Sequence, residues 1–545
     1  MYSVFCIIFF VLFLCLFAGK QKAQLAMAQK LSVEIISPGM INMASLTSMP
    51  LTAPAIDIGL EEIQRNYSKI LDIGLVYLYN RSFSTCDEAV TGIDFLVSEY
   101  YYSRNRNANV TVFFFPGWNQ LAVIGAFNDI ALRDKTAYPN VIQAGPVMMR
   151  QIIAAFVTFL AKYDWKTVYI VYDKVGKSAA IAAAGSFLLA KTLKETNGFT
   201  VYTKTVDSAK DDTFSAVLSE IQQVARIVTF WGHADNLRKF MIAAHFRNMT
   251  TGDYAYMSLS PFEYATPLFG DTTWKHNDTF DAISFQSYRS LFVITATSSG
   301  PDAEYTRMLM RTELSRRSAE YYNYTYQANE LPTPHIYTQY ACMYLLGQLV
   351  EQLALEKYSL ADKAQTGDLA KWFWGKTLST PVGSITFDLT GERQIQLEIR
   401  QMNLTSGLFT AFLQQNLSAP GQMSELGPIT WFGKTLPLDV PLCGFNGLTG
   451  ICAINLGNQT RLIVQSSTIA LAVIIVLLVA VFMIARKIYS ELHLRSISWE
   501  FSPGTQVQIN NKSLSVIIIL RCLSVMAIDD DQTAASFYPS SLKLE

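Results

Sequence analysis

Several signatures of chemistry are missing from this chain. It has no Gly-x-x-x-x-Gly-Lys-Ser/Thr phosphate loop, no Gly-x-Gly-x-x-Gly, no His-Glu-x-x-His, no Cys-x-x-Cys and no Gly-x-Ser-x-Gly elbow. The usual nucleotide, zinc and serine-nucleophile patterns are therefore absent, and no catalytic residue, metal or cofactor is expected. Histidine is scarce, with 5 in 545 residues. His233 and His245 flank one helical stretch, and capping or surface roles suit them better than a metal pair. Asp529, Asp530 and Asp531 read as a solvated acidic run. An excess of charge is missing too: 43 basic and 44 acidic residues leave a net charge of −1. Nothing electrostatic draws such a chain to nucleic acid. Charged residues make up only 16% of it, because apolar segments occupy both ends.

Two apolar runs are present. Residues 463–485, IVQSSTIALAVIIVLLVAVFMIA, carry no charge, and Arg486 and Lys487 follow at once. At ~1.5 Å per residue a helix of this length spans ~34 Å, enough for a ~30 Å hydrocarbon core. A buried core helix would keep a polar stripe, and residues 469–485 have none. Basic residues on one flank mark the cytoplasmic side. The second run, Val4 to Ala18, is too short for a span and suits a secretory signal, expected to be cleaved within residues 1–26. The expected organisation is a signal at 1–26, an outer region at 27–440, a cysteine loop at 441–462, a membrane helix at 463–485 and a short inner tail at 486–545. The expected location is the plasma membrane, single-pass, with the N-terminus outside. Glycosylation sequons support that direction: Asn66, Asn80, Asn109, Asn248, Asn277, Asn323, Asn403, Asn416 and Asn458 all precede the membrane run. Asn511 lies beyond it.

The chain has 7 cysteines. Cys6 and Cys15 fall in the signal and Cys522 in the tail. Cys443 and Cys452 stand nine apart in PLCGFNGLTGIC, where Gly444, Gly447 and Gly450 let the chain fold back, so a local disulfide is expected. Cys342 sits in an apolar helical run and reads as a buried thiol, while Cys86 has no obvious partner.

Strands are expected at 31–37, 72–79, 109–115, 141–144, 164–173, 199–206, 225–231, 254–259 and 291–299. Helices are expected between them, at 54–66, 87–102, 119–132, 150–163, 177–194, 213–223 and 235–246, and then at 302–316 and 335–356. Near-continuous apolar strands separated by helices indicate parallel sheets covered on both faces, here α/β in two lobes. Residues 381–400 read as a hairpin bending at Thr390-Gly391, and 418–460 as loop. The aromatic clusters at 100–102 and 372–374 read as packing.

Four stretches carry a resemblance. DWKTVYIVYD (164–173), LSTPVGSITFDLTGER (378–393), PLCGFNGLTGIC (441–452) and RKIYSELHLRSISWEF (486–501) resemble phrases of receptor-type guanylate cyclases, the nematode sensory branch above all. The resemblance covers roughly residues 31–501. It implies an extracellular ligand-binding region of periplasmic-binding-protein type I fold, two lobes followed by one membrane helix. It implies an unknown extracellular ligand, peptide or small molecule, the lipid bilayer as a partner, and a homodimer or a heterodimer with a full-length relative. The cysteine loop would couple the outer region to the helix. Two departures stand out. The family carries Gly-Pro-x-Cys after its third strand, whereas this chain reads Phe115-Pro116-Gly117-Trp118, so the resemblance leaves Cys86 without its usual partner. Kinase-like and cyclase regions are expected to be absent, so a non-enzymatic receptor acting near the cyclic GMP pathway is expected. A clearance-type receptor and a tethered small-solute binder are the alternatives. In two-lobed binders the ligand sits at the carboxyl ends of the strands. That geometry nominates Trp118, Asn119, Gly232 and His233.

Overall fold

The computed structural model describes residues 30–42, 47–84, 86–104, 110–115, 124–125, 130–297, 301–327, 330–355, 368–417, 421–449 and 451–497. The expected signal, Trp118, Asn119, Asn109 and the tail beyond 497 lie outside them. The chain divides into two compact units at Ala453 and Ile454.

The first unit contains both lobes. Lobe 1 is built on β1 (Leu31–Pro38), β2 (Leu71–Leu78), β3 (Val110–Phe115) and β4 (Ile124–Gly125), in the order β2-β1-β3-β4 and all parallel. Lobe 2 takes β5 (Thr167–Asp173), β6 (Thr200–Val206), β7 (Ile227–Trp231), β8 (Ala255–Ser260) and β9 (Leu291–Ala296), which are parallel where they pair. Alternation along β5 shows why a continuous apolar run becomes a central strand. Val168 and Ile170 enter the core on one face of the sheet, Tyr169 and Val171 the core on the other. Each core is covered by helices, Met149–Lys162 and Ala179–Glu195 on one side, Thr213–Val224 and Ala234–Phe246 on the other.

Several regions differ from the expectations. Residues 119–132 were expected to be one helix. Their described part instead holds β4, paired with Phe114 and Phe115, and a 3₁₀ turn at Ile130–Arg133. Strand pairing at the edge of lobe 1 overrides the helical pattern there. The stretch 141–144 forms only an isolated bridge, Gln143 to Glu392. A short helix, Asp281–Tyr288, had no periodic signal strong enough to announce it.

The chain also does not build one lobe and then the other. After β9 it returns to lobe 1. There helices Pro301–Tyr322 and Pro334–Leu355 place Leu314, Ile336 and Met343 in the same core as Ile35 and Ile56. Helix Met49–Tyr67 approaches Pro334–Leu355 closely at Gly59, where a Cβ would stand 2.5 Å from Met343 Cβ. The expected hairpin splits between lobes. β10 (Thr377–Thr380), β11 (Gly383–Phe387) and β12 (Arg393–Gln394) form a small antiparallel sheet. β13 (Leu397–Met402) then leaves to pair antiparallel with β9 in lobe 2. β14 (Phe409–Gln415) and β15 (Met423–Glu425) extend that sheet, so 418–460 is not all loop.

Helix Ile451–Ile497 begins inside the expected cysteine loop and contains the whole expected span. Its segment Arg461–His493 is long and apolar enough to cross a membrane, and none of its most apolar window is buried.

Candidate functional site

The chain crosses between the lobes after Ala144, after β9 and between β12 and β13, and these crossings are tied together. Gln143 N–H donates to Gly391 O at 2.9 Å, Arg393 N–H to Gln143 O at 2.8 Å and Thr297 N–H to Gln396 O at 2.9 Å. Glu392 is the anchor. Its buried carboxylate accepts from Arg150 at 2.8 Å, from Gln151 Nε2 at 2.9 Å and from Arg133. Arg133 also reaches Asp388 at 2.8 Å. Burial would raise the Asp388 carboxyl, but hydrogen bonds from Thr390, Glu392 N–H and Arg133 hold it below its usual range. Gly391 has φ +69°, and a Cβ there would meet Ile142 Cδ1 at 2.6 Å, so the turn requires glycine.

His335 lies beside this hinge, its ring edge-on to Phe262 with centroids 6.1 Å apart. Burial first, then the nearby Arg393 charge, lowers its pKa from 6.5 to about 4. Between those values the unfolded chain binds a proton that the folded chain refuses. Stability therefore falls as pH drops from 6.5 toward 4, by roughly 3 kcal/mol for this residue alone. Denaturant titrations at pH 7 and pH 4.5 are expected to show a smaller pH dependence for His335→Gln than for the native chain. Equal slopes would remove the assignment.

The carboxyl ends of strands from both lobes face a cleft of about 690 Å³. Asn42 and Arg81, beyond β1 and β2, supply one wall, and Lys177 and Leu268, beyond β5 and β8, the opposite one. The end of helix Pro301–Tyr322 and the segment after it supply Tyr321, Tyr324 and Glu330. Tyr324 donates to Glu330 Oε1 at 2.6 Å, and burial raises the pKa of its phenol. A volume in the ordinary ligand range, with aromatic rings, two cations and carboxylates, suits a small polar molecule or the end of a peptide. Tyr321 is 56% exposed, so an aromatic face is available at the mouth.

Gly232 and His233 sit at the carboxyl end of β7, as the topology required, but neither lines this cleft. His233 caps helix Ala234–Phe246, its Nδ1 accepting from Asp235 N–H at 3.3 Å. Beneath it, Asp173 is fully buried and accepts from Asn236 Nδ2 at 2.7 Å and from Val175 N–H at 3.1 Å. The end of β7 is thus closed by helix capping rather than opened to a ligand. The cleft residues from Tyr321 to Glu330 escape a reading by sequence because they follow a helix that chain order assigns to no lobe. Among the described residues no cluster of His, Cys, Asp and Glu could hold a metal. Asn66, Asn248, Asn277, Asn323 and Asn403 are exposed, Asn80 and Asn416 are half-buried, and Asn323 stands on the cleft wall. Cys342 is buried, and burial pushes its thiol up to about 12.

A strap leaves lobe 2 for the cysteine loop. Gln401 clasps it in the manner of a strand, accepting from Thr430 N–H at 3.0 Å and donating back to Thr430 O. Trp165 Nε1 donates to Pro437 O at 2.8 Å, and Asp439 accepts from both Lys166 and Thr167 N–H at 2.8 Å. Cys443 and Cys452 are joined in a disulfide, with Cα atoms 5.1 Å apart.

Comparison with known proteins agrees with this architecture. The family model described as "Receptor family ligand binding region" matches residues 53–405. Receptor-type guanylate cyclase gcy-28 of Caenorhabditis elegans is 23% identical over 247 residues, 43% of this chain and 18% of the relative. Atrial natriuretic peptide receptor 3 of Bos taurus is 24% identical over 234 residues, 42% of this chain and 41% of the relative. The Mus musculus receptor of the same name is 22% identical over 264 residues, 47% of this chain and 46% of the relative. The matched part is less than half the length of each of these relatives.

Proposed function

We propose that this chain, which belongs to the receptor family ligand binding region family, acts as a single-pass cell-surface receptor whose two lobes bind an extracellular ligand. The observation that carries this reading is the cleft of about 690 Å³ at the carboxyl ends of strands from both lobes, most of whose lining residues fall within the segment the family model matches. Binding there shifts the population of lobe arrangements. The strap held by Trp165, Gln401 and Asp439 makes the disulfide loop follow lobe 2. The ligand is a peptide or a small molecule, and the receptor pairs with itself or with a longer relative. In the indicated orientation residues 27–440 lie outside the plasma membrane and Arg486 and Lys487 inside.

The output of that change belongs to the cyclic GMP pathway, as the name of the nematode relative indicates for that protein. A second reading is uptake of ligand without a second messenger. Atrial natriuretic peptide receptor 3, at 24% identity, is as similar to this chain as the cyclase is at 23%. Orientation and output are tested together in cells expressing the full chain. Membrane-impermeant biotinylation and peptide N-glycosidase should both act on intact cells. Lack of surface labelling with the glycans absent would overturn the receptor reading. A cyclic GMP change in the presence of a co-expressed cyclase relative favours signalling, and ligand internalisation without one favours uptake.

A further inference from the structure

Asn323 stands on the wall of the cleft, exposed, and opens the sequon Asn323-Tyr324-Thr325. Of the described sequon asparagines, only Asn323 lines the cleft. Its place is fixed from both sides. Helix Pro301–Tyr322 ends immediately before it, with Leu314 in the core of lobe 1. Tyr322 turns inward, its phenol meeting Asp57 and Tyr77. On the other side Tyr324 N–H donates to Ser318 O at 3.0 Å, and the Tyr324 phenol donates to Glu330. Tyr324 and Tyr326 pack against the same lobe 1 core. Asn323 itself takes φ +52°. The backbone before and after it is thus anchored, and the amide cannot swing off the cleft wall.

Asparagine tolerates a left-handed φ at a helix end, so the turn by itself accounts for Asn323. It does not call for a hydroxyl two residues on, yet Thr325 is there and exposed. The two complete an acceptor for N-glycosylation. That reaction joins Asn323 Nδ2 to the anomeric carbon of a lipid diphosphate-linked oligosaccharide. The new C–N bond replaces the C–O bond to diphosphate, which departs with the electron pair, and the amide gives up one proton to solvent. A glycan placed there starts at the cleft wall. Tyr321, 56% exposed, stands beside its root, and Lys177 of lobe 2 lies on the opposite wall. A bulky hydrated chain tethered at that point excludes large solutes from the cleft, while a small one passes beside it.

We propose that Asn323 carries an N-linked glycan that screens the mouth of the cleft and restricts it to small molecules. The inference rests on the receptor reading, because only a segment that enters the secretory lumen meets the glycosylating enzyme. It narrows that reading: the occupant of the cleft is a metabolite-sized solute rather than the end of a peptide.

The test uses the full chain purified from animal cells, with Lys177→Cys as a reporter in the cleft. Lys191→Cys is the control, exposed and about 18 Å along helix Ala179–Glu195 from its first residue. Each reporter is combined with Thr325, with Thr325→Ala, which removes the sequon, and with Thr325→Ser, which keeps it. Thr325 is exposed, so these variants should fold. Labelling rates are compared for N-ethylmaleimide and for a maleimide on a long polyethylene glycol, after subtracting the chain without a reporter. Mass spectrometry after peptide N-glycosidase should show Asn323 modified. Thr325→Ala should speed the long reagent at Lys177→Cys about fivefold or more. N-ethylmaleimide rates and all rates at Lys191→Cys should stay unchanged, and Thr325→Ser should behave as the native sequon. Asn323 bare while Asn248 and Asn403 carry glycans would overturn the screen and leave the receptor reading standing. Bare asparagines at all three would overturn both. A long-reagent rate that Thr325→Ala leaves unchanged, or raises equally at Lys191→Cys, would overturn the screen.

Discussion

Trp165→Ala is expected to destabilise the outer region by about 3–5 kcal/mol, the range for truncating a fully buried large aromatic residue. Trp165 is 1% exposed. Its ring packs edge-on to Phe159 and Trp431, with centroids 5.6 and 5.9 Å away. The truncation removes this apolar contact and leaves Pro437 O without its donor. The loss should be local in its structural effect. Lobe 2 retains the rest of its core, while the strap from Trp431 to Asp439 is released. Urea denaturation of the purified chain measures the first effect, and amide exchange at Lys166 and Thr167 the second, since both N–H groups bond Asp439. Trp165→Phe should recover part of the packing but not the hydrogen bond. A loss under about 1 kcal/mol would mean that the strap is not anchored there.

Glu392→Ala should be nearly as damaging, about 3 kcal/mol, by a different route. Its carboxylate is buried and answers Arg133, Arg150 and Gln151. Removing one partner of a buried charge cluster leaves the others uncompensated, typically at 3–5 kcal/mol. The lower end applies because Arg150 is 38% exposed and Arg133 keeps Asp388. Glu392→Gln keeps a hydrogen bond to Gln151 and should cost less. The effect should concentrate at the crossings, so proteolysis between β12 and β13 should accelerate in Glu392→Ala more than cleavage elsewhere. Equal acceleration across the chain would argue against a hinge role.

Much of the fold is legible in the sequence, and the limits have physical causes. Thr167–Asp173 is unmistakable because a β-branched and aromatic run buried on both faces has no other stable setting. Residues 381–400 announce their turn through Thr390-Gly391, and the turn is there, with Thr390 N–H donating to Asp388 at 2.8 Å. The pairings made just beyond that turn are not legible. The exchange of hydrogen bonds between Gln143 and residues 391 and 393 joins positions about 250 residues apart, and local periodicity carries no trace of such a pairing. The candidate site divides in the same way. Strand order placed the ligand region at the carboxyl ends of strands, where the cleft lies. Sequence adjacency then nominated Gly232 and His233, which helix capping occupies instead. Trp118 and Asn119 lie outside the described residues. Tyr321 and Tyr324 were missed because the chain returns to lobe 1 only after completing β9, and nothing in a single sequence marks that return.

The central claim is that the cleft between the lobes receives the ligand. Affinity selection tests it most directly, with the full chain in lipid nanodiscs exposed to pooled extracellular peptides and metabolites beside Arg81→Ala, Lys177→Ala and Tyr321→Ala. These residues line the cleft from both lobes, and Tyr321 is largely exposed, so the variants should keep the native Tm. The expected result is at least one compound retained saturably by the native chain and at least tenfold less by the cleft variants. Retention that all three variants leave unchanged would contradict a ligand site between the lobes.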